Sequence, residues 1–359
     1  MGLVSVELLA LKNTTASGLY GLSDVLSSMG IVWETLVSDE LPSPKFDVRI
    51  IAEDAEPFRL ITGGYVAPDA SVAASTNTDV VIVPGISIPA RERAHDADER
   101  ISEWLRLRKE QGALITSACT GAFVLAEAGL LEGQEATTHW AYRDTFRMHF
   151  PGVRLLPERN LCFATNGIIT SGGTTAWQLL ASFLISRFWG AQQAVQAAKF
   201  WLLPDIGELQ GPYFAMPINR EHNDSSIRAC QSWIFDNYAT QNPVDAMIDR
   251  SKLPPTTFSR RFRRATGYAP MEYVHALRVE NAKRFLEVTD HSIERIGRRV
   301  GYEDTASFRR LFKREAGLAP RDYRRLFDRA RFEAEPLPSS DAKRIRKQQI
   351  LSESRISPE

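Results

Sequence analysis

The chain is poor in cysteine. Cys119, Cys162 and Cys230 are the only three among 359 residues, too few and too scattered for a disulfide framework or a zinc site. No metal ion and no cofactor are therefore expected. The sequence also lacks an uninterrupted apolar run of the ~18 residues that a membrane-spanning helix requires, and no charged-then-apolar leader opens it. A reducing cytoplasm fits these absences, and no membrane partner is expected. Net charge is absent too, with 44 Lys and Arg against 44 Asp and Glu.

That balance hides a split. Residues 225–330 carry 21 Lys and Arg against 13 Asp and Glu, so the remainder is acidic by the same margin of eight. A basic segment joined to an acidic one suits an anionic partner, with nucleic acid the usual candidate. A solvated surface rich in arginine is the alternative, and composition alone does not choose.

Apolar residues make up 43% of the chain and charged residues 25%, ordinary values for a globular protein with room for two domains. Up to about residue 203, strand-like and helix-like stretches alternate. "VSVELLA", "FDVRIIA", "DVVIVPG" and "ALITSAC" are rich in Val, Ile and Leu, as strands buried on both faces should be. Between them, "SDVLSSMG" reads as a helix stopped by Gly30. "ADERISEWLRLRKEQG" reads as a helix with acids in its first turn, bases in its last and Gly112 at its end. "AYRDTFRMHF" and "TAWQLLASFLISRFWG" read as further helices. This alternation predicts an α/β domain over 1–205, a parallel sheet sandwiched by helices. Residues 206–224, with their Pro, Gly and polar side chains, have the composition of a linker. An all-α domain is expected over 225–330, and a disordered tail over 331–359, which has few apolar residues and no helical stripe.

The basic domain contains an internal repeat. "FSRRFRRATGYAPMEY" begins at Phe258 and "FRRLFKREAGLAPRDY" at Phe308, an offset of 50 residues. Phe258 and Phe262, like Phe308 and Phe312, share one helix face and are expected in the core. Gly267 and Gly317 suit the left-handed residue that ends a helix, and the proline three residues beyond each prevents its continuation. Upstream of the second copy, "SIERIGRRVGYEDTASF" offers Ser292 as a cap, an apolar stripe of Ile293, Ile296 and Val300, and a turn at Gly301. That is a helix-turn-helix over about 293–315. The first copy, over about 244–265, has Lys252 in place of the turn glycine. A generic helical repeat would explain the Phe, Gly and Pro positions, but not the basic exposed positions of both long helices.

The segment from about Ser225 to Phe327 resembles the DNA-binding domain of AraC-family transcription regulators, with "ALRVENAKRFLE" fitting the long helix that joins the two units. The resemblance implies groove-reading positions at Thr256, Ser259 and Arg260 in the first unit, and at Ala306, Arg309 and Arg310 in the second. Arg263 and Lys313, about one helical turn further on, would suit phosphates. Arg264 and Arg314 are expected to pair with neighbouring carboxylates instead.

"ITSACTGAFVLAEAGLLEGQEATTHW" places Cys119 between an apolar strand and an apolar helix, with the small residues Ser117 and Gly121 on either side. Such spacing suits a nucleophile elbow, whose sharp turn crowds the backbone two residues from its apex. A helix beginning at Thr120 would aim its N–H groups at the sulfur and favour thiolate. The stretch resembles the PfpI-type branch of the class I glutamine-amidotransferase-like superfamily, and in particular the amino-terminal domain of the GlxA-like subgroup of AraC regulators. That resemblance implies a flavodoxin-like, amidotransferase-like fold. Working peptidases of the superfamily usually place histidine immediately after the cysteine, where this chain has Thr120. Cys-Thr-Gly is similar to the elbow of isonitrile hydratases. Relatives with activity also supply a carboxylate from the first helix region, where this chain has Ser17 and Gly18, with Asp24 about two turns away.

The resulting expectation is a DNA-binding transcription regulator, not an enzyme, with operator DNA as partner and a homodimer as its assembly. A small effector would bind beside Cys119, Thr120, Gly121 and His139, and RNA polymerase would be a partner if the protein activates. The rival expectation is a cysteine-dependent amidase or hydratase at Cys119, with His139 beside it and DNA binding secondary.

Overall fold

The computed structural model describes residues 2–38, 41–88, 99–203, 210–213 and 222–327. Most of the expected linker and the whole of the expected tail over 331–359 lie outside the described residues. The chain divides into two compact units, 1–217 and 218–359.

In the first unit, β1 (Val4–Leu9), α1 (Ala16–Ser27) and β2 (Phe46–Ala52) form the opening β-α-β passage. β3 (Phe58–Arg59) and β4 (Tyr65–Val66) pair antiparallel apart from the main sheet, and β5 (Ala70–Ser71) rejoins it. β6 (Val80–Val83), α2 (Glu99–Glu110), β7 (Leu114–Ala118) and α3 (Gly121–Glu127) follow. After these come β8 (Glu135–Ala136), α4 (Arg143–His149), β9 (Arg154–Leu155), β10 (Leu161–Phe163), β11 (Ile169–Ser171), α5 (Trp177–Trp189) and α6 (Ala191–Trp201). The seven-stranded sheet runs in the order β10-β11-β7-β6-β1-β2-β5. Every pairing in it is parallel except β10 with β11. The alternating pattern read from the sequence thus folds as a mostly parallel sheet with helices on both sides.

Two apolar layers cover that sheet. Val6, Leu8, Val80 and Ile82 pack against Leu19, Leu22 and Leu26 of α1 and against Leu180 and Leu184 of α5. Leu9, Val81, Val83 and Ile115 face the other way, onto Trp104 and Leu105 of α2, Phe123 of α3 and Phe146 of α4. Burial of these side chains is the main force holding the unit together, at about 1.5–3 kcal/mol for each fully buried large one. The one charged residue inside β1, Glu7, is buried with Arg108 of α2 and accepts from the Ser75 hydroxyl at 2.8 Å.

Helix α1 begins at Ala16, well before the "SDVLSSMG" stretch in which the sequence placed it. Two glycines, Gly18 and Gly21, lower the helix propensity of its first turns, and no side chain caps it. Packing supplies what propensity withholds. A Cβ on Gly21 would stand 2.5 Å from the Trp177 ring, so the glycine lets α1 lie directly against α5.

The second unit is helical throughout its described residues: α7 (Ser225–Asn237), α8 (Pro243–Ser251), α9 (Pro255–Thr266), α10 (Pro270–Val288), α11 (Ile293–Arg299), α12 (Thr305–Ala316) and α13 (Pro320–Leu326). Phe258, Phe262, Phe308 and Phe312 are completely buried. Gly267 and Gly317 end α9 and α12 with φ of +81° and +75°. Among the described residues, no helix is long and apolar enough to cross a membrane.

Asp224 ties this unit together at its first helix. Its carboxylate accepts from the Ile227 amide at the start of α7 and pairs through both oxygens with Arg261 of α9, at 2.7 Å each. The bond from Arg261, with the amide bond beside it, holds the carboxyl below the usual carboxylate range. A depressed folded-state pKa stabilises the fold above the unfolded pKa, and that contribution is lost as pH falls through the folded value. Asp224→Asn should therefore lower the melting temperature near neutral pH, and the gap to wild type should close as the medium is acidified below the ordinary carboxylate range. A gap that stays constant across that titration would show that Asp224 acts only through shape.

Candidate functional sites: a basic helical pair and a strained cysteine elbow

In the second unit, α8 and α9 form one helix-turn-helix and α11 and α12 the other. The two turns are built differently. Gly301 turns the second with φ +90°. Lys252 turns the first in the same left-handed region, φ +56°, which costs a non-glycine residue ~1–2 kcal/mol. The helix that follows is also capped differently. Asp304 accepts from the amides of Ala306 and Ser307 at 3.1 and 2.8 Å, whereas Pro254 precedes α9 and offers no side-chain cap.

Thr256, Ser259, Arg260 and Arg263 are all exposed, and their spacing places them on one face of α9. Ala306, Arg309, Arg310 and Lys313 are exposed at the corresponding places on α12. The buried phenylalanines hold the opposite faces, so each helix presents a basic face outward because its apolar face is fixed inward. Arg310 Nη2 donates to Ser307 Oγ at 3.0 Å, and Arg309 pairs with Glu294 of α11 at 2.7 Å. The Arg309 pair is open to solvent on both sides and is worth little in water. Arg314 pairs with Glu315 at 2.8 Å.

In the first unit the chain turns sharply at Cys119, whose φ of +57° is unusual for a residue with a side chain. Both neighbours of the strained peptide are held. Cys119 N–H donates to Ser171 O at 2.7 Å, and Thr138 Oγ1 donates to Cys119 O at 3.0 Å. The closeness of the turn is visible at Gly121, where a Cβ would stand 2.2 Å from Val83 O. Gly85 approaches from the other side, and a Cβ there would be 3.6 Å from the sulfur.

Three features mark the surroundings of the sulfur. The thiol is only 8% exposed, and burial pushes its pKa up against the hydrogen bonds from Thr120 and Thr174. Desolvation thus opposes the bias toward thiolate expected from the helix behind the sulfur. Thr120 is wired into the loop opposite, its hydroxyl donating to Ile86 O at 2.5 Å and accepting from Ile86 N–H at 2.8 Å. Neither Ser17 nor Gly18, where the resemblance implies a carboxylate in active relatives, carries one. A Cβ on Gly18 would lie 3.7 Å from Pro84 and 3.8 Å from Gly85 N, on the strand end that flanks the sulfur. Ser17 and Asp24 are exposed instead.

His139 stacks on Trp140 with ring centroids 5.5 Å apart, and its Nδ1 accepts from the Ala141 amide at 3.1 Å. That bond leaves the proton of the neutral ring on Nε2, and burial lowers the ring's pKa. Among the described residues no cluster of three or more His, Cys, Asp or Glu is arranged to hold a metal ion. A cleft of about 390 Å³ lies at the amino-terminal ends of the strands, lined by Ser5, Asp79, Leu114 and Arg187. It is at the opposite end of the sheet from the elbow, whereas ligands of open parallel sheets gather at the carboxyl ends.

Sequence reasoning missed Gln210, which lies in a stretch of linker composition. Its side chain is buried, and its amide nitrogen donates to the carbonyls of Thr138, Pro157 and Arg159 at 2.9–3.0 Å. Its amide oxygen accepts from Trp140 N–H at 3.3 Å. Gly172 makes room for it, since a Cβ there would be 1.9 Å from Gln210 Nε2. No local signal marks such a residue, because its partners come from two other segments, 137–140 and 157–159.

These two arrangements define the class. The first unit is an α/β domain with a cysteine elbow, and the second is a paired helix-turn-helix domain. Residues 29–186 match the DJ-1/PfpI family, and residues 247–326 match a helix-turn-helix domain family. The HTH-type transcriptional regulator CdhR of Pseudomonas aeruginosa is 24% identical over 300 residues, which are 82% of this chain and 87% of that protein. The HTH-type transcriptional regulator GlxA of Rhizobium meliloti is 28% identical over 224 residues, 62% of this chain and 68% of that protein. An isonitrile hydratase of Pseudomonas putida is 33% identical over 135 residues, 37% of this chain and 55% of that protein. The chain thus pairs a region that matches the DJ-1/PfpI family with a carboxy-terminal AraC-type helix-turn-helix domain, the arrangement of a transcription regulator.

Two outcomes follow from these sites. Gln210→Ala should destabilise the first unit by about 1–3 kcal/mol, the usual cost of withdrawing a donor from buried carbonyls, and urea unfolding would measure it. A loss within error of zero would show that water replaces the amide. On the DNA side, Arg310→Ala should relax base preference at one position at a cost of ~1–3 kcal/mol, whereas Lys313→Ala should weaken all sequences alike and reduce the salt slope by about one. An identical, uniform loss in both variants would refute the division into base and phosphate contacts.

Proposed function

We propose that this regulator binds operator DNA through the exposed faces of α9 and α12, and that a small effector bound beside the elbow controls it. The groove-reading set is Thr256, Ser259, Arg260, Ala306, Arg309 and Arg310, with Arg263 and Lys313 on phosphates. The observation that carries this reading is the paired outward faces, basic and exposed, on two helices whose opposite faces are anchored by buried phenylalanines. Two such faces in one chain suit adjacent major-groove segments about 34 Å apart, one turn of DNA.

In the first unit, Cys119, Thr120, Gly121 and His139 are proposed as the effector-binding region rather than a catalytic centre. Support comes from the buried thiol, whose pKa burial raises, the committed Thr120 hydroxyl and the absence of an acid at Ser17 and Gly18. Gln210 is joined to that region. It grips Thr138, which in turn holds the Cys119 carbonyl, and it belongs to the segment that follows the last helix of the first unit. Homodimerisation, a cytoplasmic location and, for an activator, contact with RNA polymerase complete the proposal.

A second reading is favoured by one observation: the strained left-handed backbone of a nucleophile elbow is retained at Cys119. The similarity to an isonitrile hydratase gives that reading its chemistry, cysteine-dependent hydration or amide hydrolysis. Cys119→Ala separates the two. As part of a binding region, the substitution should leave folding and operator binding intact, because alanine fits the same backbone, while blunting the response to effector. Purified protein should then show no turnover of small amides, esters or isonitriles. Turnover above background that disappears in Cys119→Ala would make the first unit an enzyme.

A further inference from the structure

Between the two helix-turn-helix units lies a joint built on one buried arginine. Arg278, in the middle of α10, is 6% exposed. Its guanidinium donates to three main-chain carbonyls: Nε to Tyr238 O at 2.7 Å, Nη2 to Thr240 O at 3.0 Å and Nη1 to Gly301 O at 3.1 Å. Tyr238 and Thr240 lie at the carboxyl end of α7, where the helix dipole favours a cation. Gly301 is the turn of the second unit. The guanidinium also lies over the Tyr302 ring, 5.0 Å from its centroid.

This joint has no slack. A Cβ on Gly301 would stand 2.8 Å from Ala239 O and 2.9 Å from Ala239 Cα, so the turn of the second unit rests directly on the backbone of the α7–α8 connection. At its rim, Gln241 Nε2 donates to Glu303 Oε1 at 3.0 Å. The turn that aims α12 is therefore fastened to the segment that leads into α8 and α9. A planar, three-point donor fixes orientation as well as distance, which a lysine would not do.

We propose that Arg278 is the positioning residue that sets the separation and relative rotation of the two recognition helices, and thereby the spacing of the two DNA elements that one chain accepts. The proposal rests on the reading of α9 and α12 as the groove-entering helices. Its physical consequence is steep. Each added base pair moves the second element by about 3.4 Å and turns it by about 35° around the duplex, displacements that a rigid joint cannot follow.

Selection of binding sites from a random duplex pool by the full-length chain tests this and requires no operator to be identified first. Wild type should return half-sites of two sequence elements at one separation, one half-site for each chain of the proposed dimer. Arg278→Met should return the same two elements with separations spread over several base pairs. In direct binding measurements, discrimination between the preferred spacing and one lengthened by two base pairs should shrink at least about tenfold. Arg278→Lys should fall between them. If Arg278→Met does not fold, the surface variant Gln241→Ala with Glu303→Ala should broaden the spacing without touching the core. Separations as narrow as wild type in every folded variant would overturn the proposal and leave Arg278 a purely structural residue. Recovery by wild type of a single element in each half-site would instead overturn the two-reader assignment of α9 and α12.

Discussion

A backbone carbonyl withdrawn from water must find a donor, and the shape of both units follows from how that demand is met away from regular secondary structure. In the first unit, carbonyls of Thr138, Pro157 and Arg159 converge where no strand can reach them, and the Gln210 amide supplies the donor. In the second, the carbonyls of Tyr238, Thr240 and Gly301 converge between the two helix-turn-helix motifs, and Arg278 supplies it. Removing one partner from a buried bond costs more than forming the bond gains. Each of these side chains therefore binds together segments that local structure would leave independent.

The elbow holds a strained turn by the bonds and crowding around it. The left-handed Cys119, the crowding at Gly121 and the anchoring bonds from Ser171 and Thr138 preserve a turn that costs energy to hold. Desolvation raises the thiol's pKa, Thr120 binds Ile86, and Gly18 brings no acid to the strand end.

The two helix-turn-helix units are copies in pattern but not in construction. The second has glycine in its turn and aspartate at its cap, the economical choices for a left-handed residue and for free amides. The first places Lys252 in the left-handed turn and begins α9 with proline, whose fixed φ suits the first helical position. The difference is strain carried by the first unit, while the buried phenylalanine pairs and the exposed basic faces are common to both.

What the sequence determined by itself are the features set by neighbours along the chain. Runs of Val, Ile and Leu marked β1, β2, β6 and β7, because a strand buried on both faces leaves little room for polar residues. The 50-residue repeat marked the paired recognition helices, because phenylalanines four apart must share a face. The elbow was legible because a sharp turn demands small residues at fixed spacing around Cys119. Tertiary structure decided the rest. Strands β10 and β11, three residues each, exist through their pairing with one another and with β7 and have no periodicity to read. The early start of α1 depends on Trp177, brought against Gly21 from far along the chain. The raised pKa of the Cys119 thiol follows from burial by segments that the local motif does not contain. Gln210 and Arg278 have meaning only through carbonyls that folding assembles from distant places, and a side chain's local sequence cannot record which carbonyls those are.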